Sequence, residues 1–393
     1  MDSLFGDDDI DLKDEIEEIE GDMPAGMQEE GNDTSPRETA DLFGHGDIEA
    51  ALLEDFHAHR LPHAFILAGP EGIGKATLAY RLARFLFAQS QQAAGLFGED
   101  EKPATLHIAP DHPVFRRVAS GGHADLMVVE REFDEKKGKL KKNISAELAR
   151  SIAPFLRKTA AEGGWRVVIV DGAEDFNDQS QNALLKILEE PPEKTVLILT
   201  STRAGAFLPT IRSRCRTIQM KPLRDDIVGS LLEQRIPSLM QDEKLMLMRL
   251  CRGSIGRALR FHADQGAVLY KSLLAVLSDM PQINIPALHD LAEKIGRGTS
   301  EDGFFMAQDI LLQWCERLVQ AEARGCAIED ILPGDAIIFQ RIFSVYPPGH
   351  FLSVWEKMGN LFSQVNGLNL DKRQALISAF LMLSQPEYQA ISA

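Results

Sequence analysis

The first half of the chain alternates between short apolar runs and longer segments with helical spacing. Runs of strand length, rich in Val, Ile and Leu, occupy residues 63–69, 124–132, 165–171, 195–202 and 217–220. Helical spacing, with apolar positions three or four residues apart, is found at 48–58, 75–88, 146–160 and 179–190. Strands that alternate with helices predict an α/β domain built on a parallel sheet.

Strand signals fade after Pro222, and the rest of the chain has helical spacing only. A break at Pro347-Pro348-Gly349 interrupts the last part. We therefore predict four segments: a disordered acidic tail at 1–38, an α/β domain at 39–222, a small helical module at 223–283 and a larger helical domain at 284–393.

Charge is unevenly distributed. Residues 1–35 contain fourteen acidic residues and one lysine, a net of −13 that leaves only −4 of the total −17 for the rest. A body this mildly acidic does not hold nucleic acid by net charge, so a role on DNA predicts a larger assembly. A basic cluster remains open to two interpretations, a charged hairpin turn or a DNA or partner contact: Lys136, Lys137, Lys139, Lys141 and Lys142.

Several classes of protein are disfavoured. The chain has no apolar run of membrane-spanning length, and its N-terminus is acidic where a signal peptide is basic, so we expect a cytoplasmic protein. Cys215, Cys251, Cys315 and Cys326 are far apart, which argues against a disulfide framework and a zinc module. The remaining candidate ligands lack tight spacing, so we predict no zinc: His107, His112 and His123.

The segment from Gly69 to Lys75 fits G-x-x-x-x-G-K and lies between a predicted strand and a predicted helix. In that context the glycines let backbone amides point at phosphate oxygens, and Lys75 supplies a positive charge. A glycine-rich turn without a ligand is the alternative. The candidate nucleotide-binding residues of this segment are Gly69, Pro70, Gly72, Gly74, Lys75, Ala76 and Thr77.

Two positions depart from what ATP hydrolysis requires. Ala76 stands where a Ser or Thr hydroxyl binds magnesium, and Thr77 is rotated from that place by about 100° on a helix. Asp171, at the end of a buried strand, is suited to hold magnesium or to close a loop. Gly172 follows it where a water-activating Glu is expected, and Glu174 is displaced along the chain.

An arginine-rich segment follows the last long strand. Arg212, Arg214 and Arg216 lie within five residues. A guanidinium can stabilise charge on a transferring phosphoryl group, also when a neighbouring subunit supplies it. A surface cluster of ion pairs is the alternative interpretation.

Two further segments carry a family resemblance. Residues 182–192 read NALLKILEEPP and residues 213–215 read SRC, and both resemble motifs of the AAA+ clamp-loader subunits of bacterial DNA polymerase III. The resemblance covers about residues 40–265. It implies an AAA+ phosphate-loop domain, a helical lid at 223–283, and a helical collar at 284–393 that joins subunits into a ring.

The resemblance also implies roles for single residues. Arg214 would be an arginine finger that reaches the ATP of an adjacent subunit, Arg257 a second sensor in the lid, and Thr202 a first sensor. Ala76 and Gly172 resemble the stator subunit of the family rather than its gamma/tau motor subunits. Near the C-terminus, Asn369-Leu370-Asp371 followed by Lys372 and Arg373 also looks like the stator. Without the family, the segment is interpreted as a helix N-terminus capped by Asn369 or Asp371.

The implied function is to support ATP-dependent loading of a sliding clamp onto primed DNA. Partners would be the gamma/tau and delta subunits, the clamp and DNA. ATP would bind weakly or not at all at this chain's own site, with Mg²⁺ only if nucleotide binds, and polymerisation would belong to other subunits of the holoenzyme. An active motor ATPase of the same family, and a monomeric signalling or kinase-like phosphate-loop protein, are the alternatives.

Overall fold

The computed structural model describes residues 35–92, 103–134, 139–141, 143–162, 164–280, 282–297, 302–368 and 370–384. The chain divides into two units, Met1–Asp33 and Thr34–Ala393, and all described residues belong to the second. Most of the predicted acidic tail, residues 1–34, therefore lies outside the described residues.

A five-stranded parallel sheet forms the centre of the first domain. Its strands are β1 (Ala64–Ala68), β2 (Leu126–Val129), β5 (Arg166–Val170), β6 (Thr195–Ser201) and β7 (Arg216–Gln219), in the spatial order β2-β5-β6-β1-β7. The antiparallel hairpin β3 (Phe133–Asp134) and β4 (Lys139–Leu140) stands apart from it. Strand β1 comes first in the chain but lies inside the sheet, between β6 and β7, so the carboxyl end of β1 is the switch point where parallel sheets bind ligands.

Helices cover both faces of this sheet. They are α1 (Gly46–His57), α2 (Lys75–Gln92), α3 (Pro113–Ala119), α4 (Ala146–Arg157), α5 (Asp178–Glu189) and the short α6 (Pro209–Arg212). Strands β1, β5 and β6 are buried along their whole length, as expected for a sheet covered on both sides. Helix α5 begins at the Asn177 cap, and Pro191-Pro192 follow its end.

The remainder of the described chain is helical. Its helices are α7 (Asp225–Arg235), α8 (Gln241–Cys251), α9 (Ile255–Ala263), α10 (Gly266–Ser278), α11 (Ile285–Arg297), α12 (Asp302–Arg324), α13 (Asp335–Val345), α14 (His350–Leu368) and α15 (Lys372–Ser384). One apolar core runs through these helices from Leu223 to Leu383. Two further cores lie on the two faces of the sheet. None of the described helices is long and apolar enough to cross a bilayer.

The predicted fold class is confirmed: an α/β domain with a parallel sheet precedes an all-helical region. The domain boundaries within the helical region remain predictions. One predicted strand, 124–132, is shorter than expected. At its end, residues 130–132 leave the sheet, and the Glu132 carbonyl accepts from the Lys141 amide beside the β3–β4 hairpin. At its start, the buried carboxylate of Asp125 accepts from the amides of Ala161 and Glu162 and pairs with Arg166 at 3.1 Å.

Asp371 accepts hydrogen bonds from the amides of Arg373 (2.9 Å) and Gln374 (3.2 Å), and so caps helix α15. This is one of the two capping residues that the sequence offered. The other, Asn369, lies outside the described residues.

Candidate nucleotide-binding and arginine-finger sites

The predicted phosphate loop joins β1 to α2 at the switch point of the sheet. Gly72 and Gly74 take the left-handed backbone conformations, with φ of 73° and 105°, that let the loop curl. Lys75 is buried, and its Nζ donates to the carbonyl oxygens of Gly69 (2.8 Å) and Pro70 (2.6 Å). Burial lowers the pKa of Lys75, against the opposing effect of Glu174, Asp171 and Glu71. These anions therefore lie close enough to influence the lysine.

The positions around Lys75 offer few side-chain oxygens that could bind a metal ion. Ala76 and Thr77 are half-buried in the first turn of α2, and Ala76 has no oxygen to offer. Asp171 follows β5, and its Oδ1 accepts a hydrogen bond from the Thr200 hydroxyl on β6. The same hydroxyl oxygen accepts from the amide of Gly172 at 3.0 Å. Thr200 thus fixes the Asp171 turn, a role that the sequence did not indicate because Thr200 lies within an apolar strand pattern.

Glu174 is anchored at the predicted first sensor. Its Oε1 accepts from the backbone amide (2.9 Å) and the hydroxyl (2.7 Å) of Thr202. Burial disfavours its charged form, but the hydrogen bonds that Glu174 accepts, of which those from Thr202 are the largest, together outweigh burial and hold the pKa of Glu174 below its usual value. Gly172, with φ of 70°, turns the chain away from the sheet before Glu174. The carboxylate is therefore committed to Thr202 and is not positioned by the strand end itself.

The start of helix α9, in the segment predicted to be a lid, contacts the phosphate loop directly. Ser254 Oγ donates to the carbonyl of Glu71 (2.6 Å), and the amide of Gly256 donates to the carbonyl of Gly72 (2.9 Å). A Cβ on Gly72 would lie 2.9 Å from Gly256 Cα, and a Cβ on Gly256 would lie 2.8 Å from Gly72 Cα. We call these four residues the loop–lid contact. Two glycines make it possible, because only they let the backbones approach this closely.

Arg257, the predicted second sensor, pairs with a residue of the C-terminal helices. Its Nη2 lies 3.2 Å from Asp309 Oδ2 on α12. Burial raises the pKa of Asp309, and Arg257 opposes that rise. Nearby, Arg260 pairs with Glu71 of the phosphate loop at 3.1 Å. The beginning of α9 is thus tied both to the phosphate loop and to α12.

Arg214 lies on the side of the domain where α5 and α6 meet. Its Nη1 donates to the Thr210 carbonyl (3.0 Å), and its Nη2 pairs with Glu189 Oε1 at 2.9 Å. About a third of its side chain, 34%, is exposed. Because Ile211 and Cys215 on either side of it are buried, the backbone that carries Arg214 is anchored in the core.

The other candidates are placed as follows. His112 caps α3 by accepting from the Val114 amide, His123 stacks on Phe87 with ring centroids 3.9 Å apart, and His107 lies 3.8 Å from Asp41. Within the described ranges, no group of three His, Cys, Asp or Glu side chains could hold a metal ion.

Of the lysine cluster, Lys141 pairs with Glu132 at 2.8 Å, while Lys136, Lys137 and Lys142 lie outside the described residues.

The site fits a phosphate better than a magnesium ion. The curled loop and Lys75 are features that bind phosphate. The helix position after Lys75 has no hydroxyl, the position after Asp171 has no carboxylate, and Glu174 is bonded to Thr202. The sequence located each of these residues, but it did not reveal the loop–lid contact, the Arg257–Asp309 pair or the Glu189–Arg214 pair.

Comparison with known proteins agrees with this geometry. Residues 44–224 match the family model described as DNA polymerase III, delta subunit. The chain is similar to DNA polymerase III subunit delta′ of Pseudomonas aeruginosa, with 40% identity over 39% of this chain and 41% of that protein. It is also similar to subunit delta′ of Escherichia coli, with 31% identity over 53% of this chain and 57% of that protein.

Relatives named as gamma/tau or tau subunits of DNA polymerase III also match this chain. The tau subunit of DNA polymerase III from Escherichia coli is 28% identical over 57% of this chain and 32% of its own length. A solved gamma subunit-related protein of DNA polymerase III from Thermotoga maritima overlaps 85% of this chain and 98% of its own. It does so with 19% identity and a TM-score of 0.37, an overlap that carries no argument about function.

The chain spans about 40% to 57% of the length of the two delta prime relatives. The matched part contains the phosphate loop, Asp171, the NALLKILEEPP segment and Arg214. Over residues 44–224 the chain is therefore similar to the family described as DNA polymerase III, delta subunit, and its most similar relatives named here are delta prime subunits of DNA polymerase III.

Proposed function

We propose that this chain is the delta prime, or stator, subunit of a DNA polymerase III clamp loader. It supports ATP-dependent loading of the sliding clamp onto primed DNA and supplies Arg214 to the ATP of a neighbouring subunit. The observation that carries this proposal is a contrast within one domain. The chain offers an accessible arginine on a rigid support, while its own loop lacks the groups that hydrolysis requires.

Arg214 has the chemistry that a trans-acting finger needs. A guanidinium is permanently charged and donates several hydrogen bonds in one plane, which matches the oxygens of a transferring phosphoryl group. It is exposed enough to meet another protein, and its backbone neighbours are buried. A fixed backbone reduces the entropy lost when the side chain engages a phosphate.

The chain's own nucleotide site supports a weak or absent ATPase. If nucleotide binds, the loop amides and Lys75 would contact its phosphates, and Asp171 would approach an accompanying Mg²⁺. Nucleotide there would supply only binding energy to the assembly, because Ala76 and Gly172 provide no ligand for the metal and no base for water.

The loop–lid contact supports a stator role. Hydrogen bonds from Ser254 and Gly256 hold the loop against the lid, and Arg257 joins the lid to Asp309 on α12. Three parts of the chain thereby meet beside the phosphate loop. An element that must not move with a cycle of hydrolysis is expected to have such connections.

The proposed partners follow from the family. The helical domain at 284–393 would join the gamma/tau and delta subunits in a collar, and the assembly would contact the clamp and primed DNA in the cytoplasm. The test is reconstitution of the loader with and without this chain, with clamp placement on a primed circle as the readout. We expect placement to require the chain, and equal placement without it would refute the proposal.

An active motor ATPase of the gamma/tau type is the alternative, and the intact loop with Lys75 favours it. ATP hydrolysis by the isolated chain separates the two. We expect hydrolysis at background level, the same in the Lys75→Ala variant. Brisk hydrolysis that Lys75→Ala abolishes would establish the motor.

A further inference from the structure

Helix α5 ends in a carboxylate that contacts the arginine finger proposed above. Glu189, the last residue of the helix, places Oε1 2.9 Å from Arg214 Nη2. Arg214 Nη1 also donates to the Thr210 carbonyl (3.0 Å) and approaches Ser213 Oγ at 3.4 Å. The guanidinium is thus held from two sides, by its own turn and by a separate helix.

This pair is too exposed to be explained by stability. The Glu189 side chain is 52% exposed and that of Arg214 is 34% exposed. Ion pairs with this much access to water contribute little to folding, because solvent screens them and ordering two long side chains is unfavourable. A role in orienting Arg214 accounts for the contact better.

The supports of the two residues are both rigid. On one side, Ile187 and Leu188 of α5 are buried in the core, and on the other side Ile211 and Cys215 are buried in the same core. The distance between the two backbones is therefore fixed by packing. Glu189 therefore contacts Arg214 from a backbone that packing holds in place, and this contact restricts the rotamers of Arg214.

The contacts leave part of the guanidinium available. In the described part of the chain they are made through Nη1 and Nη2, so the Nε–H can donate to an incoming phosphate oxygen. A bonded, pre-oriented guanidinium loses less entropy on meeting a phosphate than one that samples many rotamers.

We propose that Glu189 is a positioning residue for Arg214, which it holds in the orientation that meets the neighbouring subunit's ATP. This inference rests on the proposed function, because it assigns Glu189 a role only if Arg214 acts in trans. Glu189 would not touch the nucleotide. The Glu189 carboxylate acts as a hydrogen-bond acceptor for Arg214. We therefore expect the side-chain amide oxygen of a Glu189→Gln variant to restore much of the orienting effect.

The neighbouring residue offers a matched control. Glu190 follows Glu189 directly, is also acidic and exposed, and lies in the C-cap of α5. Substitution of Glu190 removes the same charge from the same surface, whereas only Glu189 contacts Arg214 Nη2.

The test uses the reconstituted loader with the clamp and primed DNA, in which every motor site except the one facing this chain is disabled. For Glu189→Ala we expect kcat for ATP to fall about 3- to 10-fold with KM unchanged. We expect Glu189→Gln to recover at least half of the lost rate and Glu190→Ala to match the wild type. In an Arg214→Ala background, Glu189→Ala should cause no further loss.

The outcomes separate the positioning role of Glu189 from the finger role of Arg214. A wild-type rate in Glu189→Ala, or a further loss in the Arg214→Ala background, overturns the positioning role while the finger stands. An unchanged rate in Arg214→Ala alone overturns the finger and the positioning role together. Thermal unfolding of each variant accompanies the assay, and we expect all of them to melt with the wild type because the pair is exposed.

Discussion

Gly72 shows how one residue serves both the phosphate loop and the lid. Its φ of 73° is a conformation that residues with a Cβ rarely adopt, and a Cβ there would lie 2.5 Å from Ser254 Oγ and 2.9 Å from Gly256 Cα. The close approach of two backbones leaves no flexible group that could move aside. Glycine is therefore required by the loop–lid contact as well as by phosphate-loop geometry.

We expect Gly72→Ala to lower the free energy of unfolding by about 1–3 kcal/mol, because it adds backbone strain and separates the loop from the lid. Urea unfolding of the isolated chain measures this. Gly205→Ala is the matched control, since a Cβ at Gly205 meets nothing within 4 Å. Equal stability of the two variants would show that the loop–lid contact does not contribute to folding.

His123 gives the molecule a pH-sensitive residue away from the site. Its ring is 3% exposed and stacks on Phe87, and burial lowers its pKa although Glu162 favours the charged form. Since the folded pKa lies below the unfolded value of about 6.5, the neutral ring contributes fully to stability above that pH. The contribution is lost as pH falls towards the folded pKa.

As pH is lowered from about 7.5 to about 5.5, we expect the urea concentration at the unfolding midpoint to decrease. The decrease should be smaller in His123→Gln than in the wild type. The difference between variant and wild type isolates this residue from other titrating groups. His289→Gln, at an exposed histidine, should retain the wild-type slope. A His123→Gln variant with the same pH dependence as the wild type would contradict the account.

At the scale of elements, Ser254 holds the start of helix α9 through two hydrogen bonds. Its Oγ accepts from the Arg257 amide (3.1 Å) as an N-cap and donates to the Glu71 carbonyl (2.6 Å). Ser145 caps α4 in the same way, by accepting from the Leu148 amide at 3.3 Å. The two serines differ in that Ser254 also joins its helix to the phosphate loop.

We expect Ser145→Ala to lower the unfolding free energy by about 1 kcal/mol, the usual contribution of a cap. Ser254→Ala should lower it by about 2 kcal/mol, because the partly buried hydrogen bond to the Glu71 carbonyl is lost as well. Chemical denaturation of both variants tests the difference. Equal losses would mean that the bond to Glu71 adds nothing.

The elements themselves were largely readable from the sequence. The apolar run that became β5, and the helical spacing closed by Pro191-Pro192 that became α5, both specify structure locally. The strand predicted at 124–132 ends at Val129, because the chain leaves the sheet there and the Glu132 carbonyl accepts from the Lys141 amide beside the β3–β4 hairpin. Tertiary contacts decided that boundary.

The site was readable only in part, for the same reason. Gly69 to Lys75, Asp171 and Arg214 stand out by residue type and motif. The partners that define their state come from distant parts of the chain: Ser254 for the loop, Asp309 for Arg257 and Glu189 for Arg214. A local sequence pattern does not predict these contacts, because the Ser, the Asp and the Glu reach their partners only after the chain has folded.

At the scale of the whole molecule, two sites in one domain have diverged in what they can do. The phosphate loop is tied to the lid and has neither the hydroxyl nor the glutamate that hydrolysis requires. On another part of the domain, Arg214 is supported by α5 and α6 and faces solvent. We propose that the first site contributes rigidity and that the second serves ATP hydrolysis in a neighbouring subunit.

The most direct measurement of that assignment is ATP hydrolysis at the adjacent motor site in the assembled loader, with primed DNA and the clamp. For Arg214→Ala we expect assembly to persist and the rate at that site to fall by about 100-fold or more, as when an arginine finger is removed. Arg212→Ala, an exposed arginine two residues away, should leave the rate unchanged. An undiminished rate with Arg214→Ala in a fully assembled loader would contradict the account.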